Sequence, residues 1–272
     1  MNVFKYCEKI IYSKSLEEKL LSPSIVTCFE YQKTKEIPKR PYRPEGFSFT
    51  ESKAKFPKPG SLKENKNKIV ALQFFANHEL LAIEMMASAI ILFCKTVNHE
   101  EFKTISKGIL STIKDEQKHF RLYIERVKEL GGNTGVASLN DFFWRQLKEM
   151  KSFDDFFCVM SLTFEAANLD FAHFYERVFA EHGDNITAGI LKEVYIDELK
   201  HVRLGYNNIK KSAKVDDLWS YYLSCLPSGI TPARSKGICF DIDHRKKVGM
   251  EEAFIDKLCK FDDGFLITKR RN

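Results

Sequence analysis

The spacing of apolar residues changes character at Ile69. From there apolar positions recur every three or four residues through four long stretches, near 68–96, 99–130, 152–182 and 185–212, and such steps place them on one face of a helix. The second stretch shows the stripe best: Phe102, Ile105, Ile109, Ile113, Glu116, Phe120, Tyr123, Val127 and Leu130. A glutamate lies in the middle of that otherwise apolar face. "GGN" at 131–133 ends the stretch, because glycine accepts the left-handed conformation of a helix cap. The joins between the first and second stretches and between the third and fourth are a few residues long. The middle join runs to about 20 residues and carries a short helix in "LNDFFWRQLKEM". Short, long, short joins predict two antiparallel hairpins linked by a crossover, an all-α four-helix bundle.

The flanks read differently. Residues 3–22 predict one or two short helices and 23–32 an extended segment. Residues 33–66 hold five of the eight prolines and predict an irregular wrap. After the bundle, "ITPARSKGICFDIDHRKKVGMEEAFIDKL" carries Phe240, Val248, Phe254, Ile255 and Leu258, enough apolar surface to fold back, with a last helix over Glu251–Lys260. Three parts follow: an arm over 1–66, the bundle over 67–214 and a C-terminal helical extension over 215–272.

Composition narrows the class. Of the 272 residues 44% are hydrophobic and 29% charged, the balance of a soluble globular chain. The opening residues spread charges through any secretory apolar region, and His78, Glu79 and Glu84 interrupt the one stretch, 69–94, that approaches a membrane span. Neither a signal peptide nor a membrane segment is expected. Seven scattered cysteines without a C-x-x-C pair predict reduced thiols and a cytoplasmic location. The net charge of +6 belongs to the arm, where 14 Lys/Arg face 8 Glu. Its charges alternate in sign, which favours a solvated surface over a nucleic-acid site.

The candidate chemistry is a repeat. "DEQKH" at 115–119 and "DELKH" at 197–201 each contain E-x-x-H, and residues three apart on a helix share a face. Glu84 precedes Glu116 by 32 residues and Glu165 precedes Glu198 by 33. Each half therefore reads as one glutamate on its first helix and E-x-x-H on its second: Glu84, Glu116 and His119, then Glu165, Glu198 and His201. Four buried carboxylates are costly unless compensated. Two divalent cations compensate them, and oxygen with nitrogen donors and no thiolate suits iron, or manganese, better than structural zinc.

Other residues are assigned around that centre. Asp115 and Asp197 are expected to accept the second ring N–H of the opposite half's histidine. Glu79 lies five residues from Glu84, about 140° round the helix, and is expected to pair with His78 rather than hold the same ion; contact with substrate is the alternative for His78. Tyr123 and Tyr195 lie one turn from His119 and Glu198 and are candidates to bond a ligand or carry an oxidising equivalent, with core packing favoured for Tyr123. Arg234, Lys236 and Arg245 are candidates to clamp an anionic substrate group; pairing with acids on the bundle is the competing reading.

With those motifs in view, Glu84, E116-x-x-H119, Glu165 and E198-x-x-H201 resemble the ferritin-like di-iron carboxylate superfamily. "HELLAIE", "KDEQKHFRLY", "LTFEAANLDF", "YIDELKHVRLG" and the proline-containing tail resemble an uncharacterised ferritin-like family within it. The resemblance implies a ferritin-like bundle with a long crossover between its second and third helices, and two iron ions. It leaves the substrate open. Activation of O2 to oxidise or hydroxylate a small molecule ranks first, with an external electron donor such as a ferredoxin or flavin reductase, since the chain has neither C-x-x-C nor G-x-G-x-x-G. Peroxide or iron handling, as a peroxidase, catalase or ferroxidase, is the alternative, followed by a tRNA hydroxylase-like activity served by the basic arm and by a non-catalytic metal-stabilised binding module.

Overall fold

A computed structural model of the chain describes residues 1–50, 55–213 and 217–264. The described residues are mostly helical. Ten α-helices run in order: α1 (Val3–Tyr12), α2 (Leu16–Lys19), α3 (Asn65–Phe93), α4 (His99–Glu129), α5 (Phe153–Val159), α6 (Ala166–Glu181), α7 (Asn185–Ser212), α8 (Leu218–Ser224), α9 (Ile242–Val248) and α10 (Glu252–Lys260). No strand forms among these residues beyond two isolated bridges, Asn2 with Cys28 and Phe49 with Leu139. The contacts gather into two units. One takes Met1–Pro57 and Ser61–Ser152, the other Lys58–Gly60 and the chain from Phe153 onward. Each flank thus joins one hairpin; the expected 214/215 boundary and 51–54 of the arm lie outside the described residues.

In the first unit α3 packs along α4, and α1 packs on α3. Helix α3 is long and apolar enough to cross a membrane by length and composition, but 83% of that window is buried in protein, as in a core helix. Asn98 caps α4 by accepting from the Glu101 amide at 3.0 Å. Gly131, at φ +78°, closes the other end: the Gly131 and Gly132 amides bond to Lys128 and Val127 carbonyls, both at 2.9 Å. Every member of the predicted α4 stripe except Leu130 is buried. Helix α1 buries Val3, Phe4, Tyr6, Cys7, Ile10 and Ile11, and full burial of such a side chain stabilises by roughly 1.5–3 kcal/mol. Gln117 of α4 then ties down the arm, donating to the Lys19 and Leu21 carbonyls at 3.1 and 3.0 Å. The described residues of the proline-rich stretch are irregular as far as Pro59–Ser61, a single 3-10 turn. The helix expected in "LNDFFWRQLKEM" is a 3-10 helix over Trp144–Glu149.

In the second unit the third predicted helix is broken into three. Helices α5 and α6 are joined by a π-helical turn over Met160–Glu165, in which the Ala166 amide reaches the Ser161 carbonyl five residues back. Local side chains satisfy the loosened ladder. The Thr163 hydroxyl lies 2.8 Å from the Cys158 carbonyl, to which it donates, and 2.8 Å from the Tyr222 hydroxyl. Helix α7 packs on this turn, and a Cβ at Gly205 would lie 2.2 Å from the Ser161 Cβ. Glycine at 205 is what permits the approach. The expected fold-back is present: α9 and α8 pack on α7, and Trp219, Tyr222 and Phe254 form one aromatic cluster with centroids 5.5 to 5.7 Å apart. The last helix begins one residue later than expected, with Glu251 as its cap.

Candidate metal centre

In the first unit α3 contributes Glu79 and α4 contributes Glu116 and His119. All three are buried, and each offers a ligand atom within 4.8 Å of the others. The His119 Nδ1 lies 3.2 Å from the Glu116 Oε2 one turn earlier. The glutamate brought to this pair is Glu79, not the expected Glu84.

Glu84 is engaged elsewhere. It is wholly buried, with the Lys19 Nζ 2.7 Å from one oxygen and the Arg43 guanidinium 2.8 Å from the other. Lys19 also donates to the Ile10 carbonyl at 2.5 Å, and Arg43 to Asn77 at 3.2 Å while covering the Phe49 ring at 4.6 Å. Burial pulls both cations' pKa values down, and the Glu84 carboxylate opposes the shift. A carboxylate whose two oxygens each face a buried cation has its charge neutralised by the protein. The 140° between Glu79 and Glu84 therefore has the opposite consequence from the one expected: Glu79 faces the α4 motif and Glu84 faces the arm.

The second unit assembles its set as the spacing indicated. Glu165, from the π-helical turn, and Glu198 and His201, from α7, are buried with ligand atoms within 4.8 Å of one another. The His201 Nδ1 lies 3.4 Å from the Glu198 Oε2, repeating the geometry of His119 and Glu116. Asn168 donates to the Glu198 Oε1 at 2.7 Å and so holds the carboxylate's orientation.

A family model described as "Protein of unknown function (DUF455)" matches residues 5–256. The chain belongs to the DUF455 family. No curated protein and no solved structure matches it.

Elsewhere in this DUF455 chain the other candidates have specific partners. Asp197 is buried and accepts from Lys200 of its own helix at 2.7 Å, while Asp115 is half-buried on α4. His78 stacks on Phe143 with centroids 5.0 Å apart, and burial pushes its pKa down to about 4. Tyr123 is buried against the Phe75 ring at 5.5 Å, the packing role favoured for it. Tyr195 is half-buried between His244 and His173, at 4.6 and 6.0 Å, with the Lys247 Nζ 3.4 Å from its hydroxyl.

The three cations of the expected substrate clamp do not form one open group. Arg245 is wholly buried and grips both oxygens of Asp170, the NH2–Oδ2 bond measuring 2.8 Å, and also donates to the Ala166 and Ser235 carbonyls at 2.9 Å. Lys236 donates to the Phe261 carbonyl at 2.5 Å, beyond the end of α10. Arg234 is half-buried, and burial lowers its pKa against the pull of Asp263. Arg245 anchors the C-terminal segment to α6, and Lys236 ties that segment to itself. Sequence spacing did not single out Glu79 as a member of the first cluster or Asp170 as an anchor, although "ELLAIE" at 79–84 and "EAANLD" at 165–170 share the order acid, three residues, aliphatic, acid.

Proposed function

We propose that this protein holds two divalent metal ions, iron in preference to manganese, on Glu79, Glu116 and His119 and on Glu165, Glu198 and His201. The observation that carries the reading is the matched donor set: in each unit two buried carboxylates and one buried imidazole converge within 4.8 Å. Carboxylates held so close in a low-dielectric interior repel, and a divalent cation turns that repulsion into attraction. Four carboxylates, two neutral imidazoles and two such ions sum to zero charge. Glu84 drops out of that balance because Lys19 and Arg43 already neutralise it. The oxygen-rich set with one nitrogen each, and without thiolate, suits iron or manganese. The E-x-x-H repeat with one further glutamate per half supports a ferritin-like bundle as the parent architecture.

The activity proposed is oxidation or hydroxylation of a small molecule by O2, in a ferritin-like di-iron oxidoreductase fed by an external electron donor. Bound iron would supply the redox chemistry. The protein's part is to fix the ligands: Asn168 orients Glu198, and α3 and α4 hold Glu79 against the His119 turn. Elemental analysis of the purified chain, then anaerobic reduction and exposure to O2 with candidate small molecules, tests the reading. About two metals per chain and O2 uptake that needs reductant are expected. Only trace metal after reconstitution would sink it. Repeated turnover of peroxide without any reductant would favour the peroxide-handling alternative.

A further inference from the structure

Cys158 and Cys225 are 67 positions apart in the chain and meet in the second unit. Their approach is set by helix register. Asp154 and Cys158 are one turn apart on α5; Tyr221 and Cys225 are one turn apart along α8, with Cys225 at its C-cap. The Tyr221 hydroxyl donates to Asp154 at 2.6 Å, fixing one turn of each helix against the other. One turn further on along each helix stand Cys158 and Cys225, neighbours across the same contact. A second tie, between Tyr222 and Thr163 at 2.8 Å, joins α8 to the π-helical turn that follows α5. Both cysteines are buried, Cys158 fully and Cys225 with 9% of its surface exposed.

We propose that Cys158 and Cys225 form a reversible thiol–disulfide site whose oxidant is a peroxide. The more accessible Cys225 sulfur attacks one peroxide oxygen, the O–O bond breaks, and water leaves with a sulfenic acid on Cys225. The Cys158 sulfur then displaces that hydroxyl as a second water, forming the S–S bond. Two electrons pass from the sulfur pair to the peroxide, and the two thiol protons end in the two waters. Burial, with Cys225 beside it, raises the Cys158 thiol pKa well above its ordinary value, so its role is to resolve rather than to initiate. The bond would tie α8 to the helix that runs directly into the π-helical turn bearing Glu165. It would not require a bound metal, and so stands apart from the function proposed above.

Peptide mapping decides it, because trypsin leaves Cys158 within 152–177 and Cys225 within 215–234, each with no other cysteine. The full-length chain is treated with stoichiometric hydrogen peroxide, as isolated and again after chelation, then alkylated and digested without reductant. The expected product is the 152–177/215–234 cross-link in both samples, absent after dithiol reduction, with Cys158 recovered fully alkylated in Cys225→Ser. The proposal is overturned if Cys239 and Cys259, both exposed, are consumed while Cys158 and Cys225 remain free thiols. A cross-link that disappears on chelation would equally overturn it as a metal-independent site.

Discussion

Glu84 and Asp170 hold equivalent places in the two units: each is buried five residues beyond its unit's first candidate ligand, Glu79 or Glu165, and each meets a guanidinium from a chain flank. Arg43 and Lys19 come from the arm, Arg245 from the C-terminal extension. The repeat thus extends past the candidate ligands to the carboxylates that anchor the flanking segments.

Glu79→Ala and Glu84→Ala should therefore separate cleanly. The first is expected to lower bound metal by about half, one ion of two, with modest loss of stability. The second should leave metal binding largely intact but destabilise the first unit by about 3–5 kcal/mol, because Lys19 and Arg43 remain as buried charges without their counterion. Metal analysis and denaturant unfolding of the two variants check this, and equal metal loss in both would return Glu84 to the ligand set.

Much of this was legible in the sequence, and the part that was not has a physical cause. Periodicity found α3, α4 and α7 and the extent of the third stretch, though not the π-helical break inside it, because apolar spacing reports a buried face and not its winding; the prolines of 33–66 marked the wrap because they bar a helix. Matching 32 residues with 33 chose Glu84, yet an interval across a turn depends on join length as well as on helix winding. The six residues of π-helix in the second unit unsettle that comparison further. The steps inside one helix, from Glu79 to Glu84 and from Glu165 to Asp170, do not cross a join and were the better ruler. The cations on Glu84 and Asp170 lie up to 75 residues away in sequence, and no local pattern specifies such pairs.

Arg245→Ala should cost about 3–5 kcal/mol, since it leaves the Asp170 carboxylate buried without its bidentate partner. Adding Asp170→Ala should recover part of that loss. A double-mutant cycle by urea unfolding measures the coupling, and strict additivity would mean that the pair does not act as one.

Gly205→Ala would place a methyl on Ser161 and push α7 away from the π-helical turn, at a cost of about 1–3 kcal/mol from overpacking. Glu198 and His201 stand on α7 and Glu165 on the turn, so metal content should fall with stability. Ser161→Gly removes the atom that clashes and should restore metal binding in the double variant.

His244 sets an acid-side expectation. Burial holds its pKa below 6.5, reinforced by His173 and Lys247 and opposed by Asp241 and Asp170, while the Tyr195 ring packs on it. With the folded value depressed, the unfolded chain takes up the proton first; stability is full above the ordinary value and is lost as pH falls through it. Unfolding midpoints between about pH 7.5 and about pH 5.5 should drop less in His244→Gln than in the parent chain.

The π-helical turn also has a genetic meaning. Because it takes up one residue more than α winding needs, deleting a single codon between Met160 and Phe164 would let α5 and α6 merge into one regular helix. The π-helical turn already winds back by about the 100° that its extra residue would add, so Phe153–Val159 and the chain from Glu165 onward would keep their facing. Tyr221 would keep its bond to Asp154. A lineage carrying that deletion would retain every candidate ligand in its place and lose only the loosened turn beneath Glu165.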